Sequence, residues 1–268
     1  MLLARQTGAT LLGPADPDPV EVVNPHGRSV VLLVCEHAGR AIPSALGALG
    51  IAAGELDRHI AYDIGAEGLA RELSERLDAT LVLQRYSRLV IDCNRPHAAL
   101  DCMPAASDGT LIPANCTLAE ADRNLRLEEI HRPFHDAIGL LLDRREGERP
   151  TIIVTIHSFT PRLRNADRPW QIGVCFNRDG SFARQFMRAF RSANPAISTA
   201  YNQPYAVDDI SDYTIPVHGE RRRLPHVLLE VRNDQLADEF GQARWAGWIA
   251  ESLVAASKSF AKECSGGA

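Results

Sequence analysis

A few residues in this 268-residue chain have the types and settings of hydrolytic chemistry. Glu36 and His37 follow the apolar run SVVLLVC (29–35), His157 closes TIIVTIH (151–157) with Ser158 behind it, and Glu230 lies inside HVLLEVR (226–232). Taken singly, a histidine at a strand end is most often a hydrogen-bonded structural residue. Together, two histidines and one carboxylate make the ligand set of a catalytic zinc with an open fourth position. The third ligand is expected from the segment after the first run, where His59 and Asp63 stand four residues apart on what reads as one helical face. Asp63 leads for that place, with Glu36 as its rival. Ser158 carries no G-x-S-x-G elbow, so a serine nucleophile has no support.

Such residues act together only if the fold brings them to one place. The runs at 29–35, 151–157, 170–176 and 226–232 are short, continuous and apolar, as strands buried on both faces are. ATLVLQ (79–84) and RLVIDC (88–93) read as two more strands. Helical spacing is expected over 55–77, 181–193 and 235–262, and Thr117-Leu118-Ala119-Glu120 reads as a capping box opening a helix through Ile130, with Pro133 forcing a kink or restart before HDAIGLLLDRRE. Strands alternating with helices predict an α/β fold: a three-layer αβα domain with a mostly parallel central sheet. In such sheets ligands bind beyond the carboxyl ends of the strands, where distant residues converge. Residues 1–28, rich in Pro, Gly and Asp, are expected to form an arm over a single domain at 29–268. The Pro-containing stretch 94–117 is long enough for a lid or substrate loop.

The segments VCEHAGRAIP (34–43), HIAYDIGA (59–66), SRLVIDCNRP (87–96), HRPFH (131–135), TIHSFTP (155–161) and LPHVLLEVRND (224–234) resemble the N-formylglutamate amidohydrolase family, in that family's motif order, over roughly 28–255. The resemblance implies a zinc-exopeptidase-like hydrolase fold. It also implies that His37, Asp63 and His157 hold one divalent metal, zinc first and cobalt or manganese as alternatives, while Glu230 is the general base. The implied reaction is hydrolysis of N-formyl-L-glutamate to formate and L-glutamate, a step of histidine degradation in bacteria. The carboxylates of such a substrate need cations and donors. Arg88, Asn94 and Arg95 flank the loop after RLVIDC, and Arg232 lies two residues beyond Glu230 on the same side of its strand. His135, from HRPFH, and His218 join them as expected substrate contacts.

Other functions are bounded by composition. A net charge of -5, with 29 basic and 34 acidic residues, gives no general attraction to nucleic acid or anionic membrane. The basic residues are nearly all arginine, the side chain suited to gripping a planar carboxylate. Six cysteines without a C-x-x-C pair, no leader pattern and no long apolar span make a cytoplasmic protein with reduced thiols the expectation. The family resemblance makes a small-molecule amide the expected partner. The competing functions are an amidase or peptidase for a small peptide or peptidoglycan-like substrate, and a metal- or ligand-binding module without catalysis.

Overall fold

The computed structural model describes residues 10–266. A seven-stranded sheet runs through the chain: β1 (Val20–Val23), β2 (Val31–Cys35), β3 (Thr80–Gln84), β6 (Ile152–Phe159), β9 (Ile172–Cys175), β10 (Thr199–Tyr201) and β11 (His226–Arg232). Two short hairpins, β4 (Ala106–Ser107) with β5 (Thr110–Leu111) and β7 (Arg162–Leu163) with β8 (Ala166–Asp167), stand outside it. The sheet order is β1-β3-β2-β6-β11-β9-β10. Pairings from β3 to β11 are parallel, as is β9 with β10; β1 on β3 and β9 on β11 are antiparallel.

Alternation across the strands divides the core into two layers. Val31, Leu33 and Cys35 of β2 face α1 (Ala66–Leu77), α5 (Ser181–Ala193) and α6 (Glu239–Gly266), where Leu69, Phe186 and Trp245 are buried. Leu32 and Val34 face the other side, where α4 (Arg132–Arg145) buries Phe134, Ile138 and Leu142. The short helices α2 (Pro113–Cys116) and α3 (Glu120–Arg126) lead into α4. The domain is therefore a three-layer αβα fold with a mostly parallel central sheet. β2 pairs with β3 on one side and β6 on the other, so the crevice for a ligand lies at the carboxyl ends of β2, β6 and β11.

Several expectations are corrected. Residues 88–93 are not a strand: Leu89, Val90 and Ile91 are buried in the α4 layer without a sheet partner. The helix expected from residue 55 begins at Ala66, because Gly65 takes a left-handed φ of 79° and lies where a Cβ would meet Leu236 Cβ at 2.5 Å. Thr117 does not cap α3, whose N-cap is Ala119. Pro133 sits in the first turn of α4, which follows a wide π-type turn at Leu127–His131. The expected arm contributes β1 to the sheet edge, while its residues 1–9 lie outside the described residues. Cys35, Cys93, Cys102, Cys116 and Cys175 are free thiols; the side chain of Cys264 lies outside the described residues. Among the described residues no helix is long and apolar enough to cross a membrane.

Candidate metal centre and substrate cavity

His37 sits just beyond the end of β2, His157 two residues before the end of β6, and Glu230 opposite His157 in the β11–β6 register. Asp63 is delivered by the turn before α1. Its N–H donates to the His37 carbonyl at 2.9 Å, and the Ser158 N–H donates to its Oδ2 at 3.1 Å. His59, expected on the same helical face, instead lies 3.4 Å from Asp108 at the edge of the cavity.

Three donor atoms converge here. His157 Nδ1 lies 3.2 Å from His37 Nδ1 and 3.1 Å from Asp63 Oδ2, and His37 Nδ1 lies 3.5 Å from that same oxygen. Ligands of a tetrahedral zinc, with bonds of about 2.0–2.2 Å, stand about 3.3–3.5 Å apart, so the set fits such an ion. The far nitrogen of each ring faces a carboxylate: His37 Nε2 is hydrogen-bonded to Asp92 Oδ1 at 2.7 Å, and His157 Nε2 lies at ion-pair distance, 3.1 Å, from Glu36 Oε2. A carboxylate hydrogen-bonded as Asp92 is to His37 fixes the ring orientation and leaves Nδ1 free to ligate. Glu36 is not among the three converging donors. Its buried carboxylate lies behind His157, away from the converging atoms.

The charges agree with this arrangement. Burial opposes the His157 cation, but Glu36 and Asp63 outweigh it and raise its pKa well above the ordinary value. His37 is raised too, with burial and Arg88 opposing the cation and Asp92 and Asp63 favouring it. Burial would raise Asp63, yet the two imidazoles lower it. Arg88 ties the carboxylates together, with Nη2 2.7 Å from Asp92 Oδ2 and Nη1 3.4 Å from Asp63 Oδ1. Asp92→Asn is expected to weaken metal affinity by about 10- to 100-fold by loosening His37. Competition against a chromophoric chelator measures this, and an unchanged affinity would remove Asp92 from the role.

His37, Asp63, Arg88, Asn94, Arg95, His157 and Glu230 all line one cavity of about 360 Å³. Asn94 is committed to its wall: Nδ2 donates to Asp212 Oδ1 at 3.0 Å, and Oδ1 accepts from the N–H groups of Tyr213 and Thr214. Arg95 pairs with the half-exposed Asp101 at 3.0 Å. Arg232, His135 and His218, expected as substrate contacts, do not line the cavity. The chain turns at Asn233, and Arg232 swings out to Asp234 and the carbonyls of Arg168 and Pro169. His135 is buried behind the 92–95 turn, with Nε2 2.8 Å from the Cys93 carbonyl and Nδ1 3.1 Å from His218 Nε2. His131 holds the Arg95 carbonyl from the same side, at 3.1 Å. Asp92, Tyr205 and Asp212 escaped the sequence reading. An acid inside the apolar run RLVIDC was a usable signal for Asp92; the 203–214 segment has no periodicity that singles out the other two.

The N-formylglutamate amidohydrolase family model matches residues 29–237. The chain belongs to this family. Members are amidohydrolases, and the matched span contains the three donor residues and Glu230. A gene product of Agrobacterium tumefaciens of known structure is 38% identical, with a TM-score of 0.90, covering 93% of this chain and 99% of its own. An N-formylglutamate amidohydrolase from Ralstonia eutropha is 20% identical, with a TM-score of 0.62, covering 90% of this chain and 98% of its own, and shares the fold. No curated protein matches the chain significantly.

Proposed function

We propose that the protein is a metal-dependent hydrolase of N-formyl or other N-acyl amino acids, with N-formyl-L-glutamate as the first candidate substrate. The observation that carries this reading is Glu230: a buried carboxylate in the same cavity as the three converging donors, with Oε2 making no hydrogen bond. Burial pushes its pKa up to about 7, with His157 opposing. That value suits a group that must take up and release a proton near neutral pH.

His37, Asp63 and His157 would hold the ion, zinc being the first expectation from this donor set. The chemistry such an ion supplies when bound is polarisation of the amide carbonyl and a lowered pKa for water. Glu230 accepts the proton of the attacking water and delivers it to the departing nitrogen. The C–N bond breaks, a C–O bond forms, and one water yields a carboxylic acid and a free amine. Asp92 keeps the His37 imidazole aligned, and Glu36 pairs its charge with that of His157. Arg95, at the wall near Asn94 and Asp212, receives a substrate carboxylate in exchange for Asp101. Arg95→Lys should raise KM about tenfold with a smaller change in kcat, because one arm of a two-pronged grip is lost. Steady-state kinetics would reject this if KM stayed unchanged.

A second reading, a small-peptide amidase, is favoured by a neighbouring cavity of about 230 Å³ that shares lining residues with this one. The two share His59, Arg88, Arg95 and Tyr205, and the further one runs between Ser107 of the β4–β5 hairpin and Leu163 of the β7–β8 hairpin. The experiment that tests the first reading is product analysis after incubating metal-loaded protein with N-formyl-L-glutamate. Formate and glutamate are expected in equal amounts; turnover of small peptides with no formate from this substrate would favour the second.

A further inference from the structure

Residues 89–95 bring Asp92 to His37 and Arg95 to the cavity wall without joining the sheet, so their carbonyls need donors from elsewhere. Buried side chains supply them. Asn115 Nδ2 donates to the Leu89 carbonyl and Arg126 Nη1 to the Val90 carbonyl, each at 2.9 Å. Histidines take the next two places: His135 Nε2 stands 2.8 Å from the Cys93 carbonyl, and His131 Nε2 stands 3.1 Å from that of Arg95. The wide turn at Leu127–His131 leads into α4 so that these two rings lie together, with centroids 4.5 Å apart.

A carbonyl only accepts, so both Nε2 atoms carry the proton. Burial lowers the pKa of His131, His135 and His218, the last to about 4, and the rings are neutral near pH 7. A neutral His135 protonated on Nε2 has a bare Nδ1, and His218 Nε2, 3.1 Å away on the turn Ile215–Glu220, must donate to it. The bare Nδ1 of His218 ends the chain and finds no hydrogen-bond partner among the described residues.

We propose that His131, His135 and His218 are positioning residues: as neutral rings protonated on Nε2 they fix the 92–95 turn, and through it the Asp92 carboxylate on His37 and the Arg95 side chain in the cavity. The inference rests on the metal-hydrolase reading given above. The turn is tight enough to pass such a constraint on. The Arg95 N–H closes it on the Asp92 carbonyl at 3.1 Å, and the Asn94 N–H donates at 2.9 Å to Asp92 Oδ1, the oxygen that also meets His37 Nε2. Tyr213, whose N–H donates to Asn94 Oδ1, packs its ring against His135 with centroids 4.3 Å apart. A leucine at 135 would fill the space but leave the buried Cys93 carbonyl unpaired.

The test has two arms. Long-range nitrogen–proton correlation spectra of the histidine side chains in zinc-loaded protein should show all three rings neutral and protonated on Nε2. Protons on Nδ1, or charged rings near neutral pH, would overturn the arrangement, and this arm needs no variant to fold. In the second arm His135→Leu should lower zinc affinity about tenfold. It should also raise KM for N-formyl-L-glutamate with a smaller change in kcat. His135→Gln, whose amide nitrogen stands in for Nε2, should restore both toward the parental values. A leucine variant that loses thermal midpoint but keeps zinc affinity and KM would reduce the ring to packing, overturning the proposal and leaving the hydrolase reading standing. A glutamine variant no better than the leucine one would do the same. A parent protein that neither binds zinc nor hydrolyses the substrate would overturn the underlying reading, and the positioning role with it.

Discussion

Glu230→Gln is expected to lower kcat by about a thousandfold while one equivalent of metal still binds, since positioned proton transfer is worth about 10²- to 10⁴-fold. The amide keeps the shape of the side chain and cannot accept the proton. The fold should not suffer. Glu230 is buried, Oε2 has no hydrogen-bond partner, and its pKa rises from 4.5 to about 7 on folding, so the ionised carboxylate is held at a cost. The sign follows by linkage. Between about pH 4.5 and 7 the folded metal-free protein binds more protons at this site than the unfolded chain, so rising pH removes stability until the group is fully ionised. Metal-free Glu230→Gln should therefore gain thermal midpoint over the parent across that interval and keep the gain above it. Near-parental kcat in a metal-loaded variant would exclude Glu230 as the base.

Asp63→Ala and His157→Ala are expected to abolish stoichiometric metal binding, and turnover with it. Each removes one of three donors and leaves the partners that were matched to it. In the metal-free protein His37 and His157 have raised pKa values, so both carry protons further toward neutral pH than an ordinary histidine. Ligation requires those protons to leave. Apparent metal affinity should then rise with pH until the imidazoles are deprotonated, and titration calorimetry in buffers of different ionisation enthalpy should record proton release on binding. Full metal occupancy in both alanine variants would contradict this centre, as would binding without proton release at a pH where the rings are charged.

How much of this was legible in the sequence depended on where each residue sits. His37, His157 and Glu230 occur at or near the ends of runs apolar enough to mark strands buried on both faces, and β2, β6 and β11 are adjacent and parallel. Asp63 was legible only as a nearby acid. Its setting was misread, because the helical spacing over 55–77 continues through a turn that Gly65 separates from α1. RLVIDC has strand-like composition but finds no edge to pair with, and its Asp92 serves His37 instead. β1 was hidden in an arm whose Pro and Asp content masks VEVV. The Arg232 expectation failed for a local reason: alternation places it on the Glu230 side, but the strand ends there and Asp234 captures the guanidinium. His135 and His218 could not be separated from true cavity residues by type or spacing. Only packing shows that they sit behind the 92–95 turn.

The central claim is that His37, Asp63 and His157 hold one catalytic metal for amide hydrolysis. The most direct test is to strip the protein with a chelator, remove the chelator, and titrate zinc back while following glutamate release from N-formyl-L-glutamate and its N-acetyl and N-butyryl analogues. Turnover should be absent in the stripped protein, rise in proportion to zinc, and level off at one equivalent. Full turnover in the stripped protein, or one equivalent of tightly bound zinc without hydrolysis of any of the three, would contradict it.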